Sequence, residues 1–257
     1  MTRRLAFTRI AANGTREGVA RPVADEVPIA VEFNGIGYAV LMATPTDLDD
    51  LVTGFALAER LIDRPNQLPE IDLHQTERGI IVRAMLAPEH AARVAERVRH
   101  RVSESSCGLC GIENLEQALR PLPRVTATSQ VDAPAIFTAL ASLRDHQPLN
   151  RETGGVHAAA LVASDGAIRL TREDVGRHNA FDKLIGAMAR QGLGWDRGFA
   201  LLSSRCSFEL VEKAALADCP LLVTVSAPTA LAVERAREAG VRLVVLARSD
   251  AVLEVTP

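Results

Sequence analysis

The chain predicts an α/β layer structure, and three observations carry that expectation. Its last sixty residues alternate apolar FALLS, a helix over 208–217, apolar LLVTVS, a helix over 229–239 and apolar VRLVVLA. Such a β-α-β-α-β run implies neighbouring parallel strands joined by helical crossovers. The strand segments are too apolar to face water, as strands covered by helices on both faces must be. Finally, 257 residues at 47% hydrophobic and 24% charged suffice for one large domain or two small ones and exclude a disordered chain.

Upstream elements follow from local pattern. VPIAVEF and IGYAVLM, separated by Asn34-Gly35, predict a hairpin over 27–42 with a type I′ turn. A helix follows, with Thr46 as its expected N-cap, Asp47, Asp49 and Asp50 at its positive end, and Leu48, Leu51, Phe55, Ala58 and Leu61 at helical spacing. A second hairpin is expected over 70–86, turning at Arg78-Gly79, then a helix from Pro88 to about Arg101. SESSCGLCG breaks both periodicities, which places 103–111 on an exposed loop. Pro121 and Pro123 then mark a domain boundary near 124, giving an N-terminal α+β domain over 1–124 and a second domain over 125–257. Asp132 caps a helix running to about His146, 156–172 form a hairpin turning at Asp165-Gly166, and 179–191 form another helix.

Charge and composition exclude several functions. Lysine and arginine total 29 against 32 acids, a net charge of −3, which lacks the basic footprint of a nucleic-acid binder. Seven phenylalanines, one tyrosine and one tryptophan are too few for base-stacking platforms. No run approaches the roughly 18 apolar residues of a membrane span, and MTRRLAFTRIAANG has too brief an apolar stretch for a secretory signal. The expected location is the cytoplasm, with no membrane and no nucleic acid as partner; structural disulfides are rare there.

Ligands of parallel α/β sheets bind beyond the carboxyl ends of the strands. Here those ends carry Ser204-Arg205, Ser226 and Arg248-Ser249-Asp250, hydroxyls and guanidinium groups beside two helix starts, which suits a phosphate. Ser226 would also stand there as a helix cap alone. TGGVHAA at 153–159, with His157 after a glycine pair, and TREDVGRHNAFDK at 171–183 are expected to line a ligand pocket, although Asp174 or Asn179 would equally serve as helix caps.

The pair Cys107-Gly-Leu-Cys110 has a spacing shared by zinc sites, redox dithiols and sulfur carriers. A structural zinc needs a second close pair, but Cys206 and Cys219 are thirteen residues apart and read as buried thiols, so no metal is assigned. A thioredoxin-like pair belongs at a helix start after a strand, not in a glycine-flanked loop after a helix. A zinc deaminase fails on residues, because His157 leads into Ala158-Ala159 rather than H-x-E, and Ser106 precedes the first cysteine. An exposed thiol on a loop best suits a carrier that holds sulfur as Cys-S-SH.

SSCGLCG, TGGVHAAAL, REDVGRHNAFDKLIG, SFELVEKAA and SAPTALAV stand in that order along nearly the whole chain. In this the sequence resembles the FdhD family, the formate dehydrogenase accessory sulfurtransferases. The resemblance implies a cytidine-deaminase-like layered α/β domain without the catalytic zinc, a smaller N-terminal α+β domain, and a homodimer. It implies a sulfur carrier that takes persulfide sulfur from a cysteine desulfurase and passes it to the molybdenum bis(molybdopterin guanine dinucleotide) cofactor, bound as substrate, for formate dehydrogenase. GDP would mimic that substrate. A cofactor-binding chaperone without sulfur transfer is the alternative. By motif, Cys107 would hold the persulfide and Cys110 would assist its release. The cofactor-binding segment would be Leu246, Ala247, Arg248, Ser249, Asp250 and Ala251, joined by Arg205 and Ser226 from the strand-end argument and by His157 from the segment after the glycine pair.

Overall fold

In the computed structural model, residues 2–102 and 120–256 are described, 97–102 by their backbone alone. The described residues form three sheets. The first is an antiparallel hairpin, β1 (Thr2–Ile10) and β2 (Arg16–Ala24), which local pattern had not predicted.

The second sheet has the order β4-β3-β6-β5, built from β3 (Val27–Phe33), β4 (Ile36–Ala43), β5 (Glu70–Thr76) and β6 (Gly79–Met85). Asn34 and Gly35 take φ of 50° and 76°, as the type I′ turn requires. The β5–β6 register pairs Thr76 with Gly79, so the turn is Glu77-Arg78, one residue earlier than expected. Helix α1 (Leu48–Ala58) lays Leu51, Val52 and Phe55 on Ile29, Val31, Phe33 and Val82. Its N-cap is Asp47, in the left-handed region at φ 51°, not Thr46. The cause is tertiary: the backbone and hydroxyl of Thr44 are bonded to Asp174, Val175 and Lys183 and fix how the chain enters the helix. A 3-10 turn, Pro88–His90, leads into α2 (Ala91–Val102).

The third sheet has the order β12-β11-β10-β9-β7-β8. Its strands are β7 (His157–Val162), β8 (Ile168–Asp174), β9 (Phe199–Leu202), β10 (Leu221–Thr224), β11 (Arg242–Val245) and β12 (Leu253–Glu254). β9, β10 and β11 are parallel, as the sequence predicted; β7, β8 and β12 are antiparallel to their neighbours. Because side chains alternate across a strand, Leu202, Leu222 and Leu243 face α5 (Arg177–Gln191), α6 (Phe208–Leu216) and α7 (Ala230–Ala239). Leu201, Val223 and Val244 face α3 (Ala133–Ser142) on the other side. Asp132 caps α3 by accepting the Ala135 N–H at 3.0 Å. A short α4 (Pro148–Thr153) precedes β7. Thr229, not Ser226, caps α7, accepting the Ala232 N–H at 3.2 Å.

The two larger sheets meet where α1 packs on α5 at glycine. A Cβ on Gly54 would overlap the Asp182 carbonyl oxygen, and one on Gly186 would overlap that of Asp50. Around this close approach lies a polar clamp made by the segment expected to line a pocket. Lys183 Nζ is 2.6 Å from Asp174 Oδ2, both side chains fully buried, and donates to the Thr44 carbonyl at 3.0 Å. Asp174 accepts the N–H groups of Thr44 and Gly176, and Asn179 donates to the Met42 carbonyl at 2.8 Å. Arg172 and Arg190 converge on Asp50 at 2.8 and 2.7 Å. Asp174, Asn179 and Lys183 therefore hold two sheets together instead of facing a ligand. The N-cap of α5 is Gly176, so neither Asp174 nor Asn179 occupies that place.

Candidate functional site

Three parallel strands end side by side, and their following residues are stitched into one ledge. After β9, Ser203 is bonded to β7: its N–H donates to the Ala158 carbonyl at 3.0 Å, and its Oγ accepts the Ala158 N–H at 2.8 Å. Ser226 N–H donates to the Ser204 carbonyl, and Leu246 N–H to the Ser226 carbonyl. The ledge thus steps from Ser204 through Ser226 to Leu246, which holds φ at 49°, a conformation rare for a bulky side chain. Ala247 is buried and donates its N–H to the Thr224 carbonyl, so it anchors the segment rather than presenting a side chain. Arg248 N–H then donates to the Ala251 carbonyl, closing a turn that leaves Arg248, Ser249, Asp250 and Ala251 exposed. Leu246, Arg248, Asp250, Ala251 and Leu253 line a cavity of about 290 Å³.

The antiparallel β7 brings His157, its first residue, to the same edge, opposite Asp174 in register. His157 is half-buried, and its pKa lies below 6.5 because of burial, reinforced by the Arg177 and Arg205 guanidinium groups. Two arginines thus stand close enough to act electrostatically on one neutral imidazole. Arg177 opens α5, where Gly176 supplies no side-chain cap, and its buried Nε has no hydrogen-bond partner among the described residues. An open helix start plus arginines favours anions. Sequence reasoning placed Arg177 in a ligand-lining segment without singling it out; a Gly-Arg pair at a strand-to-helix join was the available signal.

His178 points elsewhere, with Nε2 at 3.2 Å from Ser207 Oγ and 3.3 Å from Glu209 Oε2. Burial, then Arg177, lowers its pKa. It lines a polar cavity of about 300 Å³ with Glu209, Lys213 and Arg120. Beneath, Lys213 holds Asp182 at 2.6 Å, and burial still raises the Asp182 pKa to about 6.

Arg205, Ser226, His157 and Leu246 are therefore gathered on one edge, with the 248–251 turn continuing from it. Cys107 and Cys110 lie outside the described residues. Cys206 and Cys219 are buried free thiols, each pushed up to about 12 by burial, and so are protonated and inert as nucleophiles. Among the described residues no three His, Cys, Asp or Glu side chains are grouped to hold a metal, and no helix is long and apolar enough to cross a membrane.

Residues 24–255 match the model of the FdhD/NarQ family. The sulfur carrier protein FdhD of Xanthomonas campestris pv. campestris (strain B100) is 44% identical over 226 residues, covering 88% of this chain and 80% of the relative. That of Bordetella petrii is 42% identical over 227 residues, covering 88% and 82%. In fold, the chain is similar to a putative formate dehydrogenase accessory protein from Desulfotalea psychrophila, with a TM-score of 0.77 at 20% identity over 100% of this chain and 97% of the other.

Proposed function

The chain belongs to the FdhD/NarQ family, and from that premise we propose that it is a cytoplasmic sulfur carrier serving formate dehydrogenase. It takes sulfur from a cysteine desulfurase and delivers it to the molybdenum bis(molybdopterin guanine dinucleotide) cofactor, its substrate. The observation that carries the reading is the likeness, over 88% of the chain, to proteins named sulfur carriers. The strand-end ledge, with Arg205, Arg177 and His157 beside an open helix start, supports an anionic substrate.

The chemistry balances with this chain's own thiols. The Cys107 thiolate attacks the outer sulfur of the desulfurase persulfide, the donor S–S bond breaks, and the donor cysteine leaves as thiolate. Cys107 then holds Cys-S-SH. Cys110 thiolate attacks the Cys107 sulfur, hydrosulfide leaves toward the substrate, and a Cys107–Cys110 disulfide forms. Those two thiols supply the two electrons that take sulfane sulfur to sulfide, and an external dithiol reductant resets them.

In this reading the chain divides at residue 124, and the layered domain over 125–257 is cytidine-deaminase-like without its zinc. Support for a boundary at or before 124 comes from the segment that follows: the Arg120 carbonyl accepts from Arg235, Leu122 packs on the core beside the third sheet, and Val125 N–H donates to the Ala239 carbonyl and Thr126 N–H to Asp218. The substrate's guanosine phosphates lie along Ser204-Arg205, Ser226 and Leu246–Ala251. The protein works as a homodimer.

The test is mass spectrometry after incubation with a desulfurase and cysteine. Wild type gains a reducible one-sulfur adduct and Cys107→Ala does not. A wild type left unmodified while a control acceptor is persulfidated would overturn the carrier and leave a cofactor-binding chaperone.

A further inference from the structure

The β1–β2 hairpin precedes nearly all of the family-matched residues, which begin at 24. Its β2 strand touches α4, and the rest of the ribbon is largely exposed. Two residues, Asp25 and Glu26, join it to β3, and its base is fixed by an Arg3–Asp25 ion pair and by Thr2 donating to Glu152 of α4. The register places Leu5 opposite Arg21 and Phe7 opposite Val19 on one face, with Leu5 and Phe7 each 47% exposed. The hairpin carries five arginines, at 3, 4, 9, 16 and 21, against one acid, Glu17. A free two-stranded ribbon is at best marginally stable in water, and exposed apolar clusters of this kind mark contact surfaces.

A second uncovered face lies on the second sheet. Ile29, Val31 and Phe33 point into the core, so Pro28 and Ala30 point away, and the register adds Met42, Val40 and Ile81 to that outer side. Val40 is 67% exposed and Met42 48%. Along β5 the same side presents Glu70 and Asp72. Neither acid forms an ion pair among the described residues, and neither does Arg21 on the apolar side of the hairpin. Among the described residues, one face is apolar with an unpaired cation, the other apolar with unpaired acids, and neither is covered.

We propose that the β1–β2 hairpin of one copy lies across the outer face of the four-stranded sheet of a second copy, reciprocally, so that Leu5, Phe7 and Arg21 meet Val40, Met42 and the Glu70–Asp72 edge of the partner. Arm exchange of this kind is isologous and closes on a twofold axis. The area suffices: nine-residue strands at about 3.4 Å per residue, paired about 4.8 Å apart, present a face on the order of 300 Å². Two hairpins and two sheets make four such faces, about 1,200 Å², the lower bound of stable interfaces.

This inference rests on the homodimer of the proposed function and names its surfaces. Size-exclusion chromatography with light scattering at micromolar concentration tests it on full-length chains. Wild type runs as a dimer. Leu5→Glu/Phe7→Glu and Val40→Lys/Met42→Lys each run as monomers, and mixing the two restores a dimer, because one intact arm then meets one intact face. The uncharged Phe7→Ser and Val40→Thr variants weaken the dimer in the same direction with unchanged circular dichroism, which separates the contact from a folding defect. A monomeric wild type overturns the homodimer together with the arm exchange. A dimer insensitive to both charged variants, or charged variants that fail to complement while Phe7→Ser and Val40→Thr leave the dimer intact, overturns the arm exchange alone.

Discussion

Replacing Lys183 with methionine tests whether the charged segment at 171–183 is a clamp. Methionine keeps much of the lysine stem and removes the ammonium, which leaves Asp174 fully buried with its cation gone. Breaking one side of a buried pair costs about 3–5 kcal/mol. Asp174 still accepts the N–H groups of Thr44 and Gly176 and the Asn179 amide, which puts the loss at the low end, about 3 kcal/mol. That is a large share of the about 5–15 kcal/mol that holds a typical fold. The assay is urea unfolding followed by far-ultraviolet circular dichroism for the whole chain and by Trp195 for the third sheet, since its Nε1 is bonded to Ala217 and its ring sits in that core. In a double-mutant cycle with Asp174→Asn, the double variant loses about 1–3 kcal/mol less than the sum of the singles. GDP affinity of the folded Lys183→Met protein stays within a few-fold of wild type, because Lys183 faces Thr44 and not the strand-end ledge. An unfolding midpoint within error of wild type, or a lost GDP site in a protein of normal stability, would refute the clamp.

Three further outcomes follow from the same geometry. Gly54→Ala forces a methyl onto the Asp182 carbonyl, so α1 and α5 must separate, with a loss of about 1–3 kcal/mol or more; a thermal midpoint equal to wild type would show that the helices slide freely. His157 titrates below 6.5 by nuclear magnetic resonance, so its neutral form favours the fold above that value and the contribution is lost as pH falls through the depressed pKa. Arg205→Ala raises the His157 pKa by removing a cation and weakens GDP by about ten- to a hundredfold, or roughly 1.5–3 kcal/mol; an unmoved titration would place Arg205 away from the imidazole.

The core of the third sheet was legible because its parallel strands leave almost no polar positions, and the ledge followed because strand order fixes where strands end. The β1–β2 hairpin was not legible. Both its faces are wet in a single chain, so its strands carry arginine and threonine instead of an apolar alternation. At six residues, α4 is too short to show a helical period. Thr46 has the chemistry of an N-cap, yet Asp47 takes that place because Thr44 is bonded to residues about 130 positions later. Nothing in local spacing records such a bond.

The same cause explains why REDVGRHNAFDK reads as a binding site. Helices are recognised by the stripe they bury, and the stripe is ordinarily apolar. In α5 the side turned toward the second sheet is Asn179, Asp182, Lys183, Gly186 and Arg190, at i, i+3, i+4, i+7 and i+11, which is a helical stripe written in polar residues and glycine. An apolar reading of that spacing finds no such face and assigns the charges to solvent or ligand. The polar choice has a physical reason. At Gly54 and Gly186 the helices approach too closely for side chains, so the groups that face each other nearby are backbone carbonyls of Met42 and Thr44, which accept hydrogen bonds and which leucine could not satisfy. Arg177 and His178 escape this stripe at the start of the helix, Arg177 acting on His157 and His178 meeting Ser207 and Glu209. The segment is dense because one helix carries a clamp along its buried side and the Arg177 cation at its open end, and the clamp sets where that cation stands.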